Sequence, residues 1–195
     1  MFYKTKISLN MQGMVVFDPL VLDNFVRSKD IKDTNLLDCF IQNPEIGNKA
    51  INEGVILPIY TIEIWDYKVI VNLGEESTIA PEWKLFKTSL SFPFRVESEN
   101  VIISDIYAIM SWKPDYYLNF PPKEKRIGVD DNFTIPKGNY SVDILGFRDS
   151  SNPDIDNREC GYEFFFKKVL NLPLIENLNI DDINFKVDGI SEGSW

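Results

Sequence analysis

Histidine is absent from this chain. Nucleophilic triads and zinc hydrolase centres usually draw on imidazole as base or ligand, so their common forms are excluded, and a Cys–His dyad is impossible. Cysteine is scarce. Cys39 and Cys160 are too few for a zinc cluster, and a chain of this length needs no disulfide staple, so they read as two separate reduced thiols. Glycine-rich phosphate loops are missing, since Gly74 and Gly128 have no glycine-rich company. No apolar run approaches the ~20 residues that span a bilayer. The start, MFYKTKISLN, lacks the apolar core of a signal peptide, so a soluble cytoplasmic protein with no membrane association is expected. Bases are outnumbered, 20 Lys and Arg against 30 Asp and Glu, a net charge of −10. Attraction to phosphate supplies much of nucleic-acid affinity, so direct nucleic-acid binding is disfavoured and a basic protein partner is favoured. The acidity is uneven: Asp149 to Trp195 holds ten acids and four bases, −6 of the −10.

What is present is strand pattern. In DNFTIPKGNYSVDILGF, residues 131–147, Phe133 and Ile135 alternate with Thr134, then Pro136-Lys137-Gly138-Asn139 makes a turn, and Tyr140, Val142 and Ile144 alternate with Ser141 and Asp143. This predicts strand, tight turn, strand. LSFPFRVESENVIISDI, residues 90–106, predicts a second hairpin-like unit, with Pro93 either demoting its first strand to an edge or placing a bulge there. Further strands are expected near Lys4–Phe17, Tyr60–Ile64, Lys68–Leu73 and Gly161–Leu170, with Asp66-Tyr67 as a turn and one more strand at Ile183–Val187. Residues 20–54 read as helical: Leu36, Leu37, Phe40 and Ile41 share one helical face behind a cap at Asp33 or Thr34. A second helix starts at Asn43-Pro44-Glu45 and ends at Gly54. The expected fold is all-β: one jelly-roll-like β-sandwich spanning residues 1–195, with a short helical insertion at 20–54 and a C-terminal extension at 171–195.

The candidate chemistry is thin. Thirty carboxylates make a glycosidase pair uninformative, and alternation places Glu63, Glu97 and Glu163 on wet faces, so no catalytic residue is assigned and a non-enzyme is expected. Asp154, Asp156 and Glu159 fall in a polar loop with oxygen ligands at close spacing, which suits calcium, but no EF-hand pattern accompanies them. No cofactor and no metal are assigned. Trp112, Tyr116 and Tyr117 lie among prolines and suit either a partner contact or a cover over the open end of a sandwich.

Taken in order, SLSFPFRVESENVIISDI, then NFTIPKGNYSVDILGFRD, then ECGYEFFFKKV resemble the competence protein J family, small inhibitors of a bacterial DNA-entry nuclease. KISLNMQGMVVFD, Asn52-Glu53-Gly54 and YTIEIWDYKVIVNL extend the resemblance over most of residues 6–169, and Ile135-Pro136-Lys137-Gly138 followed by Tyr140 is its most specific piece. The chain departs from the family in a longer segment at 20–43, an insertion around 112–125 and a tail after Leu170, so no family residue is transferred. The resemblance implies a cytoplasmic protein that neutralises a toxic enzyme, a nuclease or a secreted toxin met by an immunity protein, by occluding its active site. The expected contacts are Asp149, Asp154, Asp156 and Glu159 with Trp112, Tyr116 and Tyr117. A sandwich that binds carbohydrate, or lipid through calcium, is the alternative.

Overall fold

The computed structural model of the chain describes residues 2–74, 76–121, 128–152, 158–176 and 178–187. Their strands form two sheets. The larger runs β1 (Phe2–Ser8), β4 (Asp66–Asn72), β10 (Cys160–Val169), β9 (Gly138–Arg148). Beyond β9 its edge is shared: β5 (Lys84–Lys87) pairs with residues 145–147 and β6 (Phe92–Val96) with residues 138–142. The smaller sheet runs β3 (Ile56–Ile59), β2 (Met14–Phe17), β7 (Asn100–Asp105), β8 (Asp130–Thr134), antiparallel throughout. Five helices accompany them: α1 (Pro19–Ser28), α2 (Leu36–Gln42), α3 (Pro44–Asn52), α4 (Tyr107–Met110) and α5 (Pro114–Leu118).

The β-rich, two-sheet expectation holds, and the jelly roll does not. A jelly roll is antiparallel, whereas β10 lies parallel to β4. Helix content also exceeds a short insertion. Asp18 and Pro19 are the N-cap and first residue of a ten-residue α1. Asn35, rather than Asp33 or Thr34, caps α2, and Asn43 caps α3 as expected.

The two hairpin-like units prove to be arches. β6 belongs to the larger sheet and β7 to the smaller, and likewise β9 and β8. Residues 97–99 and 135–137 carry the chain across the gap between sheets instead of folding it back within one. The arches stack, β6 on β9 and β7 on β8, and Ile135 N–H donates to Glu99 C=O across the corners at 3.1 Å. Both arms of each arch face one core, where Phe92, Phe94, Val142, Ile144, Phe164 and Phe166 are buried. Pro93 needs no N–H partner because β6 is an edge strand, one of the two outcomes its position predicted.

Three further departures concern local structure. Residues 60–65 are irregular and Asp66-Tyr67 starts β4, so the expected strand and turn are exchanged; the Tyr67 hydroxyl donates to Glu63 C=O at 2.9 Å and holds this approach. Residues 183–187 form no strand, yet Phe185 and Val187 are buried and Phe185 C=O accepts from the Tyr162 hydroxyl at 2.7 Å. Glu163 is fully buried rather than wet. Its face of the larger sheet is covered by residues 76–83, under which Ile70, Ile79, Leu145 and Phe147 pack with Trp83 and Phe165.

Candidate partner-binding surface

Many carboxylates of this acidic chain are spent on its own backbone. Asp18, fully buried, accepts from the N–H groups of Leu20 and Val21 at 2.9 and 3.2 Å and from those of Glu97 and Ser98 at 2.8 and 2.7 Å, tying α1 to the first arch. Asp105 accepts from Met11 N–H at 3.0 Å and Tyr107 N–H at 2.8 Å. Glu163 accepts from Asn72 Nδ2 (2.9 Å), Ser77 Oγ (2.6 Å), Thr78 N–H (3.0 Å) and Thr78 Oγ1 (3.1 Å). Buried charge is tolerable only with such partners. These acids fix loops and are not available to a partner.

Of the expected contact residues, Asp149 and Glu159 come together where β9 and β10 meet, Asp149 N–H donating to Glu159 C=O at 2.7 Å. Asp149 accepts from the hydroxyl and the N–H of Ser151, and the hydroxyl is the chief reason its carboxyl sits below the ordinary carboxylate range. Glu159 pairs with Lys68 at 3.0 Å. Asp154 and Asp156 lie outside the described residues. The aromatic residues are placed on other elements, and two of them are core rather than contact surface. Trp112 is 4% exposed and Tyr117 7%, their rings stacked at 5.5 Å, with Phe17 edge-on to both at 5.8 and 5.2 Å. Both rings pack on Phe17 of β2, which is why they are buried. Tyr116 stays half-exposed and its hydroxyl donates to Asp130 at 3.1 Å.

Two concave surfaces among the described residues differ in character. The first, about 730 Å³, opens at β1, β4 and the start of β10. Lys4, Lys6, Lys68 and Arg158 line it against Asp66 and Glu159, with Trp65 alongside. Lys6 pairs with Asp66 at 2.7 Å and holds its carboxyl below the usual range. The second is an apolar groove of about 260 Å³ between the α2–α3 hairpin, β3 and residues 178–181. Phe40, Ile51, Ile56 and Pro58 form its buried base, and Ile41 beside them is 56% exposed. Across from the helices Asp181 lines it next to Tyr60, whose phenol is pushed up to about 12, by burial first and by the Asp181 carboxylate second.

Charge is sorted between them. Residues 33–48 contain Asp33, Asp38 and Glu45, residues 176–185 contain Glu176, Asp181 and Asp182, and neither stretch has a lysine or arginine. The bases that border these stretches are Lys32, which pairs with Asp30, Lys49, which pairs with Glu53 at 3.7 Å, and Lys186, which is exposed just after the second stretch. So among the residues that line the groove Asp181 is the one charged side chain, and the two stretches that supply its walls hold six acids, bordered by Lys49 and Lys186. Sequence reasoning saw the amphipathic α2 but not this groove, because its second wall is more than 130 residues away in the chain. The acid-only composition of both stretches was the one available signal.

Among the described residues no group of three or more acids or cysteines is arranged to hold a metal ion. No helix among them is long and apolar enough to cross a membrane. No protein-family model matches the chain, and no curated protein matches it. Among solved structures the chain is similar to ComJ, inhibitor of the DNA degrading activity of NucA, from Bacillus subtilis, with a TM-score of 0.48 and 14% identity over 87% of this chain and 99% of that one.

Proposed function

We propose that this protein is a non-enzymatic inhibitor of the immunity type, which binds a toxic enzyme, a nuclease in the first instance, and occludes its active site. The observation that carries the reading is an apolar groove whose one charged lining residue is Asp181, with further acids and no base in the stretches 33–48 and 176–185 from which its walls are drawn. A nuclease is basic where it holds phosphate. A carboxylate-bearing face competes for that surface, speeds encounter and is weakened by salt. The sequence between β9 and β10 supplies further acids, Asp149, Asp154, Asp156 and Glu159, as a second set of contacts for the same partner. The resemblance of the strand segments to the competence protein J family implies the same class of target.

The test is capture from the protein's own cell, followed by assay. The captured protein is expected to be a basic nuclease whose DNA degradation falls to zero at one equivalent of this chain and returns as salt is raised. Charge reversal at Asp154 and Asp156 is expected to slow association; unchanged rates remove that edge from the interface. Capture only of proteins that degrade no nucleic acid, or whose activity the chain leaves untouched, removes the inhibitor reading.

A further inference from the structure

We infer that the groove between α2–α3 and residues 178–181 receives an apolar anchor side chain of a basic protein partner, one aromatic or aliphatic residue flanked by lysine or arginine. The inference rests on the inhibitor reading only for what that partner does; the groove and its preference are argued from this chain alone.

The groove has the size of an anchor pocket. A dry cavity of about 150 Å³ takes up benzene, so about 260 Å³ has room for an aromatic ring with its methylenes or for two aliphatic side chains. Its base is already dehydrated by Phe40, Ile51, Ile56 and Pro58, and Ile41 leaves a large apolar side chain in water beside it. Interfaces place their strongest contacts in pockets of this kind, an apolar centre inside a polar rim. Its one charged lining residue is the exposed Asp181, and no lysine or arginine lines it. An anchor flanked by lysine or arginine is drawn to Asp181 and its neighbours, and one flanked by acids is repelled by them.

The same charge argument selects among occupants. A second copy would bring −10 against −10. Residues 188–195 of the same chain, DGISEGSW, hold two acids and no base, so they carry the wrong sign for this rim. A basic partner is the occupant that charge favours.

The full-length chain, labelled with ¹⁵N, is titrated with two synthetic peptides of equal length bearing the same Leu and Phe anchors, one flanked by lysines and one by glutamates. The lysine peptide is expected to shift the amides of Ile41, Asn48 and Asn179. Its affinity should fall tenfold or more in Ile41→Glu and in Asp181→Lys, and the glutamate peptide should leave those amides in place. Ile41 is exposed, so Ile41→Glu is expected to keep a dispersed spectrum; the exposed Asp181 gives a second variant independent of it. Equal binding of both peptides, shifts confined to other surfaces, or undiminished affinity in both variants overturns the proposal. So does dimerisation abolished by Ile41→Glu, which makes the occupant a second copy, and so do shifts at the groove caused by Trp195→Ala without peptide, which make it the chain's own C-terminal residues. With a nuclease in hand, Ile41→Glu should weaken inhibition at least tenfold. Unchanged inhibition rejects the groove and keeps the inhibitor, whereas a wild-type chain that takes the lysine peptide in the groove but inhibits no nuclease rejects the inhibitor and keeps the groove.

Discussion

Asp18 shows how much can depend on one carboxylate. Read in sequence, Asp18-Pro19 stops a strand; in the fold it caps α1 and also holds two N–H groups of the first arch. The two roles are separable. A cap alone predicts a loss of about 1 kcal/mol for Asp18→Ala and almost none for Asp18→Asn. With a donor pair on each oxygen, the amide of Asn must turn its NH2 toward one pair, so Asp18→Asn is expected to cost about 2 kcal/mol and Asp18→Ala about 3 to 4 kcal/mol. Urea denaturation distinguishes these, and an Asn variant as stable as wild type rejects the clamp. Tyr60 makes a second residue-scale prediction. Its folded-state pKa of about 12 lies above the ordinary tyrosine value of 10.0, so the phenol keeps its proton in the fold after the unfolded chain has lost it. Its contribution to stability is complete below pH 10 and is lost as pH rises toward 12. Tyr60→Phe should remove one late-titrating phenol from the ultraviolet titration and flatten the decline of stability in that window. Asp181→Asn should move that phenol down.

At the scale of elements, the arches explain where the pattern was legible and where it was not. Period-two alternation tells which side chains face a core. It does not tell whether the next strand continues in the same sheet, because both arms of an arch face the same core and alternate as a hairpin would. Phe133, Tyr140, Val142 and Ile144 were therefore placed correctly as core while the connection between them was misread. The α3 boundary was legible throughout, from the Asn43 cap to Gly54, since both signals are local. Gly54 has φ +69° and a Cβ there would stand 2.8 Å from Arg95 N and 2.9 Å from Phe94 C, both in the β6 backbone. Gly54→Ala is therefore expected to cost about 2 to 3 kcal/mol, from the left-handed backbone and the clash together. A loss below about 1 kcal/mol would contradict this packing of α3 on β6. The cover over the outer face of the larger sheet makes a different prediction, because Glu163 alone gathers Asn72, Ser77 and Thr78. Glu163→Ala should abolish hydrogen-exchange protection at Thr78 and redden the emission of Trp83 while β4 and β10 stay protected. Retained protection at Thr78 would show the cover to be held by its apolar contacts instead. No local signal marked Glu163 as buried, since the residues that bury it are more than 80 positions away.

The whole molecule is dominated by pairing between distant segments: β1 with β4, β4 with β10, and β2 with β7. Such topologies fold slowly because long loops must close before any contact rewards them. Refolding followed by tryptophan fluorescence is expected on the millisecond-to-second scale or slower, and a sub-millisecond phase carrying the full amplitude would contradict the topology. The candidate site shares this non-local character. The acids of residues 33–48 and 176–185 are visible in the sequence, but only the fold brings Asp181 to a groove lined by residues of α2 and α3. One strand governs how all of this comes into being. β10 fills the slot between β4 and β9, and within the larger sheet it alone joins the β1–β4 pair to the group of β9, β5 and β6. While a ribosome is still making the chain, those two half-sheets each present an open edge, and they stay open until residue 169 has cleared the exit tunnel. The nascent protein is therefore exposed to mispairing for most of its synthesis, and a message that stops before β10 yields two sticky fragments of a sheet rather than a smaller working domain.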